Sequence, residues 1–279
     1  MKVFVTGYKG RIGSLLVERG CQPLICDVTK YEEVEMAIRH ASPDVVVHLA
    51  SISNVDYCEK NKDEALRVNF IGTKFVADAT SKQRCGMIFL SSDQVFGGKS
   101  GPYKEVRFAR TLFGYDIPVN FYGEIKLASE SLQLTYPNMK IIRTSYLFDE
   151  KRLNLPYLTP VLNVLGDKTQ MEYPTFIYRS FMYVHHFIES LEKYIERFWE
   201  MPELLNISGS ETISWFEFMS KAFEIFGMDK ERIYPRKHES KLFTTPRPKK
   251  GGLDVGLSKK LGFDLYSYID GLEKMKEIK

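Results

Sequence analysis

The sequence predicts a doubly wound α/β fold, a parallel sheet with helices on both faces. Three observations carry that prediction. Strand-like and helix-like patterns alternate through the first half of the chain. One strand candidate, DVVVHLA at residues 44–50, is β-branched and reads as buried on both faces, as central parallel strands are. A glycine turn, GYKGRIG, separates the first strand from the first helix.

Taken in order, residues 2–6 form an apolar β run and residues 12–19 carry helical periodicity. Residues 23–26 read as a short second strand and 31–41 as a helix, followed by the buried strand at 44–50. A long helix is expected over 62–82, then a strand at 87–91, a long loop, a helix from the YGEIK run to about residue 135, and a strand at 140–144. The second half is punctuated by prolines at 156, 160, 174, 202, 235, 246 and 248, and its strands are short and separated. Ser214 to Glu217 reads as a capping box ahead of a helix that stops at Gly227. The chain ends in a predicted helix over 266–279. Composition shifts near residue 150, which places a domain boundary there.

The 279 residues, 44% of them apolar, suffice for one large domain or two intimately joined ones. A net charge of +3 from 39 basic and 36 acidic residues gives no electrostatic case for nucleic acid. Arg247, Lys249 and Lys250 form a short basic stretch, a solvated loop or a site for a phosphate-bearing ligand. Cys21, Cys26, Cys58 and Cys85 lack metal-type spacing and read as packing residues in a reducing compartment. No signal-peptide layout and no membrane-length apolar run is present, so a cytoplasmic protein without a membrane partner is expected.

The glycine turn is the first chemical signal. Gly7, Gly10 and Gly13 let the backbone turn tightly and approach a pyrophosphate resting on the following helix N-terminus. The spacing is GxxGxxG, and its position after the first strand points to a dinucleotide. Asp27 follows the second strand, where an acidic residue accepts from a ribose hydroxyl. Lys9 and Arg11 are alternatives for a 2′-phosphate, so NAD and NADP both stay open.

Tyr122 and Lys126 are the second signal. Four residues apart on a helix, they share one face, and an ammonium near a phenol favours its ionised form. A tyrosine so placed can exchange a proton with an alcohol or carbonyl oxygen. Tyr136 and Lys140 repeat the spacing, but Pro137 and Asn138 between them argue for a helix end. Ser91, Ser92 and Asp93 follow a strand at its carboxyl end, where ligand chemistry gathers in open α/β sheets. A hydroxyl-rich turn with Asp93 capping backbone N–H groups is the alternative reading.

Together these segments resemble the extended short-chain dehydrogenase/reductase family, and within it the dTDP-4-dehydrorhamnose reductase group. The resemblance runs through GYKGRIG, CDVT, SPDVVVHLAS, NVDYCE, RVNFIGT, LSSDQVF, GPYKE, NFYGEIKLASE and IIRTS. It thins after residue 145 and returns in YPTF and TTPRPKKGGLDVGLSKKLGF. It implies a Rossmann-type NAD(P)-binding domain over 1–150 and a smaller C-terminal α/β substrate-binding domain over 151–279, with some segments returning to the first. It further implies a catalytic triad of Ser92, Tyr122 and Lys126. Ser92 would bond the substrate oxygen, Tyr122 would act as general acid, and Lys126 would depress the tyrosine pKa and hold the nicotinamide ribose. The implied cofactor set is Gly7, Gly10, Arg11, Ile12, Gly13, Asp27, His48, Leu49, Ala50, Asn69, Ser91, Tyr122 and Lys126. For His48 the alternative is a strand-end histidine bonded to backbone.

Arg179 opens RSFMYVHHF, which resembles another motif of the extended family, and is a candidate for a substrate diphosphate; a structural ion pair is its alternative. Arg247 is a second diphosphate candidate. Asp93 and Gln94 complete the expected substrate set. His185 and His186 have no third ligand at zinc-like spacing and read as structural, so no metal is expected.

Gln94 departs from the family pattern. Rhamnose-type reductases usually carry tyrosine there, and 4,6-dehydratases usually carry glutamate as a base. An amide cannot serve as that base. The loop from 106 to 118 is also longer and more basic than the pattern and is expected to shape substrate entry. The resemblance thus implies NAD(P)H-dependent reduction of a nucleotide-activated 4-keto-6-deoxy sugar. The alternatives are a sugar-nucleotide epimerase with tightly bound NAD, and a non-catalytic regulatory subunit like that of methionine adenosyltransferase. Family members are often dimers, which makes a homodimer an expectation of the same resemblance.

Overall fold

A computed structural model describes residues 1–107, 110–111, 114–149, 170–238 and 243–277. Part of the loop expected to shape substrate entry, residues 108–109 and 112–113, lies outside them, as do Pro156 and Pro160. Two compact units emerge, and they do not divide at one point in the chain. The first comprises Met1–Phe96, Ile117–Arg143 and Leu191–Leu205; the second comprises Gly97–Asp116, Thr144–Ser190 and Asn206–Lys279.

The first unit carries the predicted doubly wound sheet. Its strands are β1 (Val3–Thr6), β2 (Gln22–Pro23), β3 (Val45–His48), β4 (Gly86–Ser92), β5 (Met139–Thr144) and β6 (Leu204–Asn206). They lie in the order β2-β1-β3-β4-β5-β6, and parallel pairing joins β1 to β2 and β3, and β3 to β4. Every residue of β3 is buried, as its β-branched run predicts. The order reverses between β1 and β3, where open α/β sheets leave a crevice beyond the strand ends.

The helices are α1 (Arg11–Glu18), α2 (Tyr31–Ala41), α3 (Val55–Lys60), α4 (Lys62–Leu66), α5 (Gly72–Lys82) and α6 (Phe121–Ser131). Val34 and Ile38 of α2 pack with Val76 and Ala77 of α5 against Val46, Met87 and Ile141 of the sheet. The spacing of these residues four apart, or side by side on a buried helix, explains why α2 and α5 form where they do.

Three local outcomes differ from expectation. The second strand is shorter than 23–26: it spans Gln22–Pro23, its last bond to β1 runs from Leu24 N–H to the Val5 carbonyl at 2.9 Å, and Ile25 is already exposed. The helix expected over 62–82 is interrupted by a π-helical turn, Arg67–Ile71. Helix α3 and the helix Val184–Glu196 are not among the expected elements, although Val184, Phe187, Ile188, Leu191, Tyr194 and Ile195 of the latter recur at helical spacing and are buried.

The second unit is built from short strand pairs. Tyr146–Phe148 runs parallel to Phe181–Tyr183, Met171–Pro174 parallel to Ile233–Arg236, and Tyr178–Arg179 antiparallel to Ile213–Ser214. Its core is aromatic. Phe181 stacks on Phe218 with centroids 4.1 Å apart, and the Trp215 ring meets Phe181 edge-on at 5.1 Å. The capping box is present: Glu217 N–H donates to Ser214 Oγ, and Ser214 N–H to Glu217 Oε2. The terminal helix spans Tyr268–Glu277 and buries Leu272 and Met275 in the same core.

Beneath the sheet ends of the first unit lies a buried ion pair. Arg143 of β5 donates from Nε to Glu130 Oε1 at 2.8 Å and from Nη2 to Oε2 at 2.5 Å. Both side chains are almost wholly buried, at 0% and 2% exposure. Ser91 Oγ of β4 donates to the same Oε1 at 2.6 Å, so β4, α6 and β5 meet on one carboxylate. Removing one partner strands a charge in the interior. Glu130→Ala is therefore expected to lower unfolding free energy by about 3–5 kcal/mol, read from chemical denaturation. The double change Glu130→Leu with Arg143→Met should recover most of that loss, and equal losses in the single and double variants would refute the account.

Candidate active site

The glycine turn and the start of α1 form a cradle. Gly7 adopts φ +65°, a left-handed conformation that glycine tolerates. A Cβ on Gly7 would lie 2.7 Å from the Ala50 nitrogen, so the turn presses against the end of β3. A Cβ on Gly13 would lie 2.4 Å from the Gly7 carbonyl oxygen, so the helix start packs against the turn just as closely. The α1 N-terminus has no side-chain cap and no acidic residue in its first turn. The positive end of the helix is thus left without a side-chain cap of its own or a first-turn carboxylate. A dinucleotide pyrophosphate fits that helix end.

Asp27 is placed differently from the simplest expectation. It is exposed and folded into its own turn, where Oδ1 accepts from Thr29 N–H at 2.9 Å and from the Thr29 hydroxyl at 2.7 Å. Those bonds hold its carboxyl below the usual range.

His48, Asn69 and the end of β3 form one hydrogen-bonded relay. Thr73 donates its hydroxyl to the Asn69 carbonyl at 2.6 Å, so Thr73 Oγ1 must accept from His48 Nε2–H, 3.1 Å away. His48 Nδ1 is then the acceptor for the Thr6 hydroxyl at 2.8 Å. Thr6 Oγ1 in turn accepts from the N–H groups of Leu49 and Ala50. Burial, with Lys126 second, drives the His48 pKa down to about 3, so the ring is neutral. Both ring nitrogens have protein partners, which is the bonded strand-end alternative for this histidine, with side-chain partners where backbone was expected. The Asn69 side chain is likewise occupied: Oδ1 accepts from Ile52 N–H at 2.7 Å and Nδ2 donates to the Ile52 carbonyl at 2.9 Å. Its residue lies in the π-helical turn, which frees the Asn69 carbonyl for Thr73 and for Ser129 at 3.0 Å.

Tyr122 and Lys126 lie on α6, whose N-terminus is held from two sides. Glu59 of α3 accepts from Phe121 N–H at 2.9 Å, and the Asn120 side chain accepts from Gly123 N–H at 2.9 Å. Tyr122 is 8% exposed and Lys126 5%. Lys126 Nζ donates to the Leu90 carbonyl of β4 at 2.8 Å and lies 5.9 Å from the Tyr122 ring centroid. Burial lowers its pKa to about 8, with Glu130 and Cys58 opposing the shift.

The tyrosine departs from the expected electrostatics. Burial first, and then Cys58 and Asp93, push the Tyr122 pKa above its ordinary value; the nearby Ser92 hydroxyl acts the other way. The Lys126 ammonium is turned to the Leu90 carbonyl, 5.9 Å from the Tyr122 ring centroid, and burial outweighs it. Tyr122 is therefore a protonated donor across neutral pH. Ser92 Oγ also accepts from Gln94 N–H at 3.2 Å and donates to Asp93 Oδ1 at 3.2 Å, which fixes its rotamer.

Ser92, Tyr122 and Lys126 are thus brought together, with Gln94 beside them. The second Tyr/Lys spacing is not: Lys140 lies in β5 and is bound to the carbonyls of Phe198 and Met201. Arg179 and Arg247 belong to the second unit. Arg179 Nη1 donates to the carbonyls of Tyr178 and Pro248, and Arg247 Nη1 to the Thr245 carbonyl, so both already hold local backbone. His186 stacks on Tyr266 at 3.8 Å. Among the described residues no group of three His, Cys, Asp or Glu is gathered as a metal would require, and no helix is long and apolar enough to cross a membrane. Sequence reading missed Asn120, Glu59 and Glu130; only Asn120, an N-cap residue type just before a helix, left a local signal.

Known proteins are similar to this chain in sequence and fold. A spore coat polysaccharide biosynthesis protein, SpsK, of Bacillus subtilis is 28% identical over 242 residues, covering 82% of this chain and 80% of its own. A dTDP-4-dehydrorhamnose reductase of Aggregatibacter actinomycetemcomitans is also 28% identical, covering 80% and 78%. The solved dTDP-4-dehydrorhamnose reductase of Bacillus anthracis, in complex with NADP, superposes with a TM-score of 0.87 at 25% identity, covering 100% of both chains. The family model described as RmlD substrate binding domain matches residues 1–278, and the chain belongs to that family.

Proposed function

We propose that this protein reduces the keto group of a nucleotide-activated 4-keto-6-deoxy sugar, as its reductase relatives are named for doing. The observation that carries the proposal is the gathering of the Ser92 hydroxyl near the buried Tyr122 and Lys126 side chains, in the same unit as an uncapped glycine cradle. A reduced nicotinamide, when bound, supplies the hydride. The chain's own residues do the rest. The α1 N-terminus and its glycines hold the pyrophosphate. Ser92 turns its one proton from Asp93 Oδ1 to the carbonyl oxygen, and Tyr122, kept protonated by burial, gives its proton to that oxygen as negative charge builds there. Lys126 adds positive charge nearby. Gln94 supplies no carboxylate, which weighs against dehydration. The intact donor set weighs against a purely regulatory role, and nothing in the site favours an epimerase over a reductase.

NADPH is the preferred reductant in this reading. Asp27 Oδ1 is engaged by Thr29, which leaves Oδ2 alone for a ribose diol, and the Bacillus anthracis relative was solved with NADP. The second unit is assigned the sugar nucleotide, with Arg179 and Arg247 shaping its loops.

Purified protein should oxidise NADPH in the presence of an enzymatically generated dTDP-4-keto-6-deoxyhexose, with a higher kcat/KM than for NADH. No sugar-dependent oxidation of either reductant would sink the proposal. Tyr122→Phe should lower kcat by about 10²–10⁴-fold while NADPH affinity, measured by fluorescence titration, stays close to that of the unaltered enzyme. Gly13→Ala should instead abolish NADPH binding, because its methyl meets the Gly7 carbonyl.

Lys126 also gives a pH signature in the cofactor-free protein. Its folded pKa, about 8, lies below the ordinary 10.5, so between those values the unfolded chain binds more protons and stability rises with pH. Relative to Lys126→Met, the unaltered protein should gain roughly 3 kcal/mol across that window. A parallel pH dependence in both proteins would show that Lys126 is not the depressed group.

A further inference from the structure

We infer that Asn120 is a positioning residue that locks the Gln94 amide so that its NH₂ group, and not its carbonyl, is offered to a hexose oxygen of the substrate. The inference rests on the sugar-nucleotide reading above and assigns a specificity device within it. The argument starts from a backbone N–H. Gly123 N–H at the start of α6 donates to the Asn120 side chain at 2.9 Å, and only the amide oxygen, Oδ1, can accept it. That fixes the Asn120 amide with Nδ2 turned the other way. Nδ2 is a donor, and it meets the Gln94 side chain at 3.0 Å. Gln94 must therefore accept with Oε1, which leaves both protons of Nε2 for another partner. Among the described residues no acceptor meets Nε2.

The Gln94 backbone is equally constrained. Its N–H donates to Ser92 Oγ at 3.2 Å, and its carbonyl lies so near α6 that a Cβ on Gly123 would approach it to 2.2 Å. Gln94 is 9% exposed and Asn120 3%. A buried amide with one end tied and the other offering two donors discriminates against ligands with no acceptor there, because the donors would be left unpaired. The lock is one hydrogen bond from Gly123, the residue after Tyr122. The same N-cap thus sets the helix start that carries the proton donor and the amide that reads the sugar.

The test is a double-mutant cycle. Asn120→Ser keeps a hydroxyl acceptor for Gly123 N–H and removes the donor to Gln94; Asn120→Asp keeps the cap and also removes it. Gln94→Ala removes the reader. Asn120→Ser and Gln94→Ala should each raise KM for the keto sugar roughly tenfold, with a smaller change in kcat and little change in NADPH affinity or melting temperature. The double variant should match Gln94→Ala within about twofold, because Asn120 acts through Gln94. Effects that multiply in the double variant, or an unchanged KM in both Asn120 variants, would overturn the inference. Calorimetric binding of dTDP-glucose and dTDP supplies a readout free of turnover: the unaltered protein should bind the sugar form more tightly, and Asn120→Ser should erase that preference. Loss of preference in a protein that never oxidises NADPH would leave the inference standing and remove the reductase reading. Retained preference in an active enzyme would do the reverse.

Discussion

The salt bridge between Arg143 and Glu130 is closed off from water, and the proposed catalytic groups stand beside it. Two charges in the interior are costly, and this pair offsets that cost through two parallel N–H···O bonds and a third from Ser91. Its geometry sets three elements at once. It fixes β4 just before Ser92, it holds the last turns of α6 behind Lys126, and it anchors β5. Glu130 also opposes the lowering of the Lys126 pKa by burial. The pair thus links architecture to the charge that the site needs.

At its other end α6 is pinned by Glu59 and Asn120. A helix held at both ends delivers Tyr122 and Lys126 to fixed positions, and a fixed donor near a developing oxyanion needs little reorganisation when charge appears. The electrostatics follow from burial more than from pairing. Desolvation raises Tyr122 and lowers Lys126 and His48, so in the cofactor-free protein the phenol is a held proton and the imidazole is a neutral hydrogen-bond relay. A tyrosine that begins protonated suits a step in which an oxygen gains a proton.

Much of the first unit was legible in the chain. The β-branched run at β3 declared a buried central strand, the glycine turn declared the cradle, and Ser214–Glu217 declared its cap, because each depends on local sterics or a hydrogen bond spanning three residues. Long-range features were not legible. Within the π-helical turn at Arg67–Ile71 the Asn69 carbonyl accepts from both Thr73 and Ser129, and Ser129 comes from a helix sixty residues away. The strand Leu204–Asn206 joins the sheet from far along the chain through Ile141 N–H and the Glu203 carbonyl, with no signal of its own beyond a short apolar run.

Sequence alone determined which residue types stand at which spacing: glycines at a helix start, a serine at a strand end, a tyrosine and lysine one helical turn apart. Those patterns fix local backbone and therefore the kind of chemistry on offer. Tertiary structure decided which of them meet and in what state of charge. It separated Tyr136 and Lys140, spent Arg179 on carbonyls, closed His48 into a relay and turned the Gln94 amide. Each outcome is set by desolvation and by which donor finds which acceptor, quantities that exist only once the chain has folded.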